Sequence, residues 1–163
     1  MQINVDYRLL EGYVDADWAG DVCDRRSTSG FVFYVLGGLV SWATRKQTSV
    51  ALSSAEAEYI ALSVGATEVM WLRMLLRNLR RNVAEPTIIR EDNQACIQVA
   101  EEDKPTKRLK HVDVRWHFVK NEIQKGVIKL VYVPTDLQTA DIMTKALAGP
   151  QFVKLREMLG LSA

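Results

Sequence analysis

Apolar and polar positions alternate over Tyr13–Ala19, with Val14, Ala16 and Trp18 set against Tyr13, Asp15 and Asp17. A period of two predicts a strand with one acidic face. Asp is disfavoured inside strands, so two at alternate positions need a reason. Residues 1–11 carry no period and read as an irregular lead-in. Gly30–Leu36 is a second strand, Gly37-Gly38 a hairpin turn and Leu39–Thr44 a third strand. From Ser53 to Leu79 the period lengthens to that of a helix. Ser53 with Glu56 three residues on gives the capping-box pattern. Glu58, Leu62, Gly65, Val69, Leu72, Leu76 and Leu79 share one side of it, apolar except for its first member.

Beyond Pro86, Thr87–Glu91 is a short strand that ends at Asp92, and Asn93 caps a helix over Gln94–Ala100. A polar, basic linker leads to a helix over Val112–Lys125, striped by Val112, Trp116, Val119 and Ile123 and ended by Gly126. Val127–Val133 is a strand stopped by Pro134. Thr135 and Gln138 repeat the capping-box pattern and open a helix to about Leu147. Gly149-Pro150 breaks it, and Gln151–Leu159 forms a last short helix. The order β-β-β-α-β-α-α-β-α predicts an α/β fold, a mixed five-stranded sheet with helices on its faces. At 163 residues the chain is expected to be one domain, 1–163, with a core over about 10–147 and a helical tail over 148–163.

Composition narrows the function little. Lys+Arg 21 against Asp+Glu 20 gives a net charge of +1, so the overall balance does not announce a nucleic-acid partner. The N-terminus lacks the basic-then-apolar order of a signal peptide. No unbroken apolar run approaches the length of a bilayer span, so no membrane partner is expected. Cys23 and Cys96 match no metal spacing and are expected to be reduced cytosolic thiols. Trp18, Trp71 and Trp116 fall on apolar stripes and are expected in the core.

Four acids stand where acids are least expected. Asp15 is inside the first strand, Glu58 heads an apolar stripe, and Asp92 ends a strand ahead of a helix. Asp141 lies one turn into the helix predicted over Asp136–Leu147. Glu56 is accounted for as a capping partner; Glu58 has no partner in its own helix. Either Glu58 faces a positive charge, side chain or metal ion, or it is half-exposed near the helix end; the stripe leaves both open. If the sheet gathers these carboxylates, their mutual repulsion calls for a cation. Mg²⁺ or Mn²⁺ suits an all-oxygen set. His111 and His117, six apart, are a poor metal pair.

Seven blocks carry a resemblance: GYVDADWAGD (12–21), DRRSTSGFVF (24–33), SWATRKQ (41–47), ALSSAEAEYIAL (51–62), EDNQACI (91–97), KHVDVRWHFV (110–119) and YVPTDLQTADIMTKAL (132–147). In this order they resemble the ribonuclease H domain of Ty1/copia-type LTR retrotransposon polyproteins, over about Leu10 to Leu161. The resemblance implies a ribonuclease H-like fold. It implies a catalytic and metal-binding set of Asp15, Glu58, Asp92 and Asp141, with two Mg²⁺ or Mn²⁺ ions per site. The motif prefers Asp15 to its strand-face rival Asp17, which parity alone does not separate, and Glu58 to Glu56. The implied reaction is hydrolysis of the RNA strand of an RNA–DNA hybrid to 5′-phosphate products. The implied partners are that hybrid and the reverse transcriptase domain of the same polyprotein, in the cytoplasm within virus-like particles. The loop Pro134-Thr135-Asp136 lacks the histidine that cellular ribonucleases H often carry there.

Eight basic residues against Asp113 and Glu122 crowd Lys104–Lys129. Lys104, Lys107, Arg108 and Lys110, just ahead of a helix start, are candidates for phosphate contact. For Lys120–Lys129 a solvated helix face is the expectation. Arg45, Lys46, Gln47 and Asn93 are further candidates for hybrid contact. His111 could cap its helix, bind phosphate or pair locally. Two rival readings are a catalytically inactive hybrid-binding domain and another nuclease of the same superfamily. Loss of an acid would favour the first, but none is missing; absence of Glu58 would favour the second.

Overall fold

The computed structural model describes residues 8–102 and 113–161. Five strands, β1 (Leu10–Asp17), β2 (Thr28–Val35), β3 (Gly38–Lys46), β4 (Thr87–Glu91) and β5 (Ile128–Tyr132), form one sheet in the order β3-β2-β1-β4-β5. The first three are an antiparallel meander, while β4 runs parallel to both β1 and β5. Parallel neighbours need long crossovers, and helices supply them. These are α1 (Ser54–Asn78) between β3 and β4, and α2 (Gln94–Glu101) with α3 (Asp113–Gln124) between β4 and β5. Two short helices follow, α4 (Asp141–Thr144) and α5 (Gly149–Met158).

Strand parity divides the core into two layers. On β2, Phe31 and Phe33 join the larger cluster with α1 residues such as Tyr59, Leu62 and Val69. Val32 and Tyr34, pointing the other way, pack with Ala140 beside α4 and with Leu159 after α5. Two glycines permit the close approach on each side. A Cβ at Gly65 would come within 2.5 Å of Val14 Cγ1, so α1 sits hard against β1. A Cβ at Gly30 would meet Met143 Cβ and Thr144 Cγ2 at 2.7 Å, so α4 sits hard against β2.

The α1 stripe is buried from Glu58 to Leu76, but Leu79 is exposed because it is already the helix C-cap. By length and composition α1 could cross a bilayer, the one such helix among the described residues. Its apolar side is instead covered by the sheet. Half of the expected α1 capping box forms, with Ser53 Oγ accepting from the Glu56 N–H at 3.2 Å, but the Glu56 carboxylate accepts from the Leu52 N–H, one residue before the cap.

Several expectations are corrected. β1 starts at Leu10, because pairing with β2 and β4 orders residues that carry no local period. It ends at Asp17, since Ala19 turns into the left-handed region at φ 52°. The hairpin turn is Leu36-Gly37, both at positive φ, one residue earlier than expected. Trp18 and Trp71, expected in the core, are each 49% exposed, whereas Trp116 is buried. Trp18 lies past the paired part of β1 and donates its indole N–H to the Ala51 carbonyl. The helix predicted over Asp136–Leu147 is absent. In its place are a 3₁₀ turn, Thr135–Leu137, and the four residues of α4. Thr135 and Gln138 do not form a capping box because both are bonded elsewhere: Thr135 donates to Asp92, and the Gln138 amide donates to the buried Val14 carbonyl at 2.9 Å.

Candidate metal centre

The sheet register itself gathers the acids. Tyr13 pairs with Arg90 across the parallel β1–β4 ladder. Asp15 is two residues past the first and Asp92 two past the second, so both carboxylates arrive at the same end of neighbouring strands. This is the carboxyl end of β1 and β4, where open α/β sheets hold their ligands. Glu58 comes from the first turns of α1, held against β1 by the Gly65–Val14 contact. One oxygen from each of Asp15, Glu58 and Asp92 lies within 4.8 Å of the other two.

The arrangement is electrostatically expensive. Asp15 is fully buried and Glu58 is 6% exposed. Burial, followed by the charges of Glu91, Asp15 and Asp92, pushes the Glu58 carboxyl up to about 11. Its Oε2 is buried with no hydrogen-bond partner. Glu91, wholly buried beside the group, is also held well above the ordinary carboxyl range, chiefly by burial. An oxygen-only donor set with an orphaned buried carboxylate oxygen fits a hard divalent cation.

Asp141 stands beside Asp15 but outside the close group of three. Burial and the Asp15 charge raise its carboxyl to about 7. Between them stands Lys145, its Nζ 3.1 Å from Asp15 Oδ1 and 3.0 Å from Asp141 Oδ1. Burial opposes the Lys145 charge, but Asp15 and Asp141 outweigh it and hold the ammonium above its ordinary range. Thr144 donates its hydroxyl to Asp15 Oδ2.

Comparison with known proteins identifies the scaffold. No family model matches the chain. It is 35% identical over 153 residues, 94% of its length, to the retrovirus-related Pol polyprotein from transposon TNT 1-94 of Nicotiana tabacum. It is equally similar to that of transposon RE1 of Arabidopsis thaliana. The chain is similar to a segment of copia-type retrotransposon Pol polyproteins, and its fold is ribonuclease H-like. It spans about a tenth of those polyproteins, 11% and 10% of their lengths. The fold agrees. LC11-RNase H1, isolated from compost by a metagenomic approach, superposes with a TM-score of 0.64 at 16% identity, over 83% of this chain and 91% of that one. The same enzyme in complex with an RNA/DNA hybrid gives 0.58. The prototype foamy virus protease-reverse transcriptase gives 0.56 at 11% identity, over 98% of this chain and 21% of that one.

Within this ribonuclease H-like fold the remaining candidates are placed unevenly. Asp17 is half-buried and outside the group of three. Arg45 is exposed at the end of β3. Lys46 is exposed but pairs with Asp21 and Asp24, at 2.5 and 2.9 Å. Gln47 is buried; its amide donates to Ser29 Oγ and the Ala57 carbonyl, so it ties β2 to α1 and presents no side chain outward. Asn93 caps α2 by accepting from the Cys96 N–H at 3.0 Å. Lys104, Lys107, Arg108, Lys110 and His111 lie outside the described residues. Lys120, expected on a solvated face, is buried and donates to the Glu101 carbonyl, because α3 packs toward the end of α2. Cys23 and Cys96 are both free.

Sequence reasoning passed over Lys145, Thr144, Thr135 and Glu91. Lys145 could have been found, since it stands four residues after Asp141. Thr135 sits in the loop without a histidine and donates to Asp92 Oδ2 at 2.7 Å. A cleft of about 310 Å³, lined by Arg8, Arg73 and Thr87 among others, is at the opposite ends of β1 and β4 from the acids. There Arg73 is buried and donates to the Glu85 carbonyl and Thr87 Oγ1, bracing the chain ahead of β4.

Proposed function

We propose that this chain is the ribonuclease H of a retrotransposon polyprotein, a metal-dependent endonuclease that hydrolyses the RNA strand of RNA–DNA hybrids during reverse transcription. The observation that carries the reading is the convergence of Asp15, Glu58 and Asp92 from β1, α1 and the end of β4, with an unpartnered Glu58 oxygen among them.

Asp15, Glu58 and Asp92 would hold one Mg²⁺ or Mn²⁺ ion, and Asp15 with Asp141 would serve a second. Bound there, a divalent cation would supply a lowered pKa for an attacking water and counter-charge for the leaving oxygen. The chain's own task is to keep four carboxylates poised. Thr144 orients Asp15, Thr135 orients Asp92, and the α1–β1 contact fixes Glu58. Such a site reads hybrid shape and the 2′-hydroxyl rather than base sequence. Its products carry 5′ phosphates. The exposed Arg45 and the basic tract Lys104, Lys107, Arg108 and Lys110 supply the phosphate grip. The adjoining reverse transcriptase of the same polyprotein is the partner, and the setting is a cytoplasmic virus-like particle.

A hybrid with a labelled RNA strand, incubated with the chain in Mg²⁺ or Mn²⁺ and in chelator, tests the reading. RNA cleavage that needs the cation and leaves the DNA strand whole is expected. Binding without cleavage in either cation would establish the alternative, an inactive hybrid-binding domain.

A further inference from the structure

We infer that Lys145 is a built-in counter-ion of the acidic centre, and that its ammonium must leave before a divalent cation can enter between Asp15 and Asp141. The inference rests on reading the four acids as a metal centre. It adds that the two halves of that centre load by different means.

Lys145 Nζ is bonded at once to Asp15 Oδ1 and Asp141 Oδ1, at 3.1 and 3.0 Å. The ammonium thus engages one oxygen of each acid, and a cation shared by the two acids would compete with it for the same pair of carboxylates. Only the side chain needs to move. The backbone of Lys145 is pinned as the C-cap of α4, its N–H donating to the Asp141 carbonyl at 3.0 Å. The side chain is 31% exposed, so the ammonium has a path to water along its own flexible stem.

The other half is different. Glu58 Oε2 has no hydrogen-bond partner. Asp92 is bonded to the hydroxyl of Thr135, a neutral group. No cationic side chain among the described residues is paired with Glu58 or Asp92. A cation entering among Asp15, Glu58 and Asp92 meets the ammonium at one ligand, Asp15, whereas one entering between Asp15 and Asp141 meets it at both. The first half fills at low cation concentration. The second fills only when Lys145 is drawn off, as by a substrate phosphate.

Calorimetric titration of the full chain with Mn²⁺ in the absence of nucleic acid tests this, comparing wild type with Lys145→Met and Lys145→Arg. Wild type and Lys145→Arg should take up one tight Mn²⁺ and a second only weakly. Lys145→Met should take up the second at a concentration lower by about ten-fold or more, the scale on which a neighbouring opposite charge shifts a carboxylate's affinity for a cation. Without metal Lys145→Met should melt below wild type, and saturating Mn²⁺ should close the gap. Lys145→Gln gives the same readout should the Met variant not fold. A second Mn²⁺ bound equally by Lys145→Met and wild type would overturn the role of Lys145 while leaving the metal centre standing. No Mn²⁺ bound by either protein would overturn both.

Discussion

Gly65 of α1 faces Val14 of β1 so closely that a single added methyl would come within 2.5 Å of the Val14 Cγ1. The two residues are neighbours of the centre in sequence. Val14 precedes Asp15, and Gly65 follows Glu58 by two helical turns on the same face. The contact therefore sets how near the Glu58 carboxylate can come to Asp15.

Enlarging Gly65 should loosen the centre from a distance. Gly65→Val forces α1 off the sheet, at a cost of about 1–3 kcal/mol. Gly65→Ala should cost less, because Ala regains about 1 kcal/mol of helix propensity. In both variants the rise in melting temperature on adding Mn²⁺ should shrink. Scanning calorimetry with and without Mn²⁺ measures both effects. A Gly65→Val protein with wild-type melting and wild-type Mn²⁺ response would show that this contact does not position Glu58.

Neighbouring acids should separate cleanly. Asp15→Asn should abolish hybrid cleavage with the fold intact, while Asp17→Asn should keep most of the activity, since only Asp15 lies in the close group. Glu58→Gln should be inactive. Glu56→Gln should remain active and lose about 1 kcal/mol or less, as a weakened cap. Cleavage rates for the four proteins, with circular dichroism as the control for folding, decide the matter. Equal losses within either pair would mean that the roles are wrongly assigned.

Much of this was legible in the residues. The alternation through Val14, Asp15 and Ala16 placed Asp15 on a strand, and the stripe from Glu58 to Leu76 placed Glu58 on a core-facing helix side. Both patterns are local, and burial follows them. The final segment was misread because its decisive bonds are distant in sequence. Gln138 reaches Val14 and Thr135 reaches Asp92, so a cap-like spacing became a 3₁₀ turn and a four-residue helix. Trp18 misled for a related reason. Its parity matched the strand, but β1 stops pairing before it, and the indole spans to the Ala51 carbonyl with half its surface in water.

Stability in the absence of metal should fall as pH rises. Folding raises the Asp141 carboxyl from 3.8 to about 7 and the Glu58 carboxyl from 4.5 to about 11. An acid raised by folding keeps its proton longer in the folded state than in the unfolded one. The folded state is therefore most favoured below the unfolded values and loses ground as pH climbs toward the folded ones. Asp141 acts up to about pH 7; above that Glu58 and the similarly raised Glu91 remain. Glu58→Gln should raise metal-free stability at pH 8 and reduce the slope above pH 7 by up to about 1.4 kcal/mol per pH unit. Urea unfolding at pH 5, 6, 7 and 8 in chelator measures it. A wild-type stability that is flat or rising across this range would contradict the buried, uncompensated carboxylates.

Diffraction from crystals grown in Mn²⁺, recorded where manganese scatters anomalously, tests most directly whether Asp15, Glu58 and Asp92 close on a divalent cation. The predicted result is an anomalous peak bonded to one oxygen from each of the three, lost in crystals of Asp15→Asn. A second peak between Asp15 and Asp141 is expected only with the Lys145 ammonium withdrawn. Full Mn²⁺ occupancy elsewhere on the chain, with no peak among the three carboxylates, would contradict the metal centre and the nuclease reading built on it.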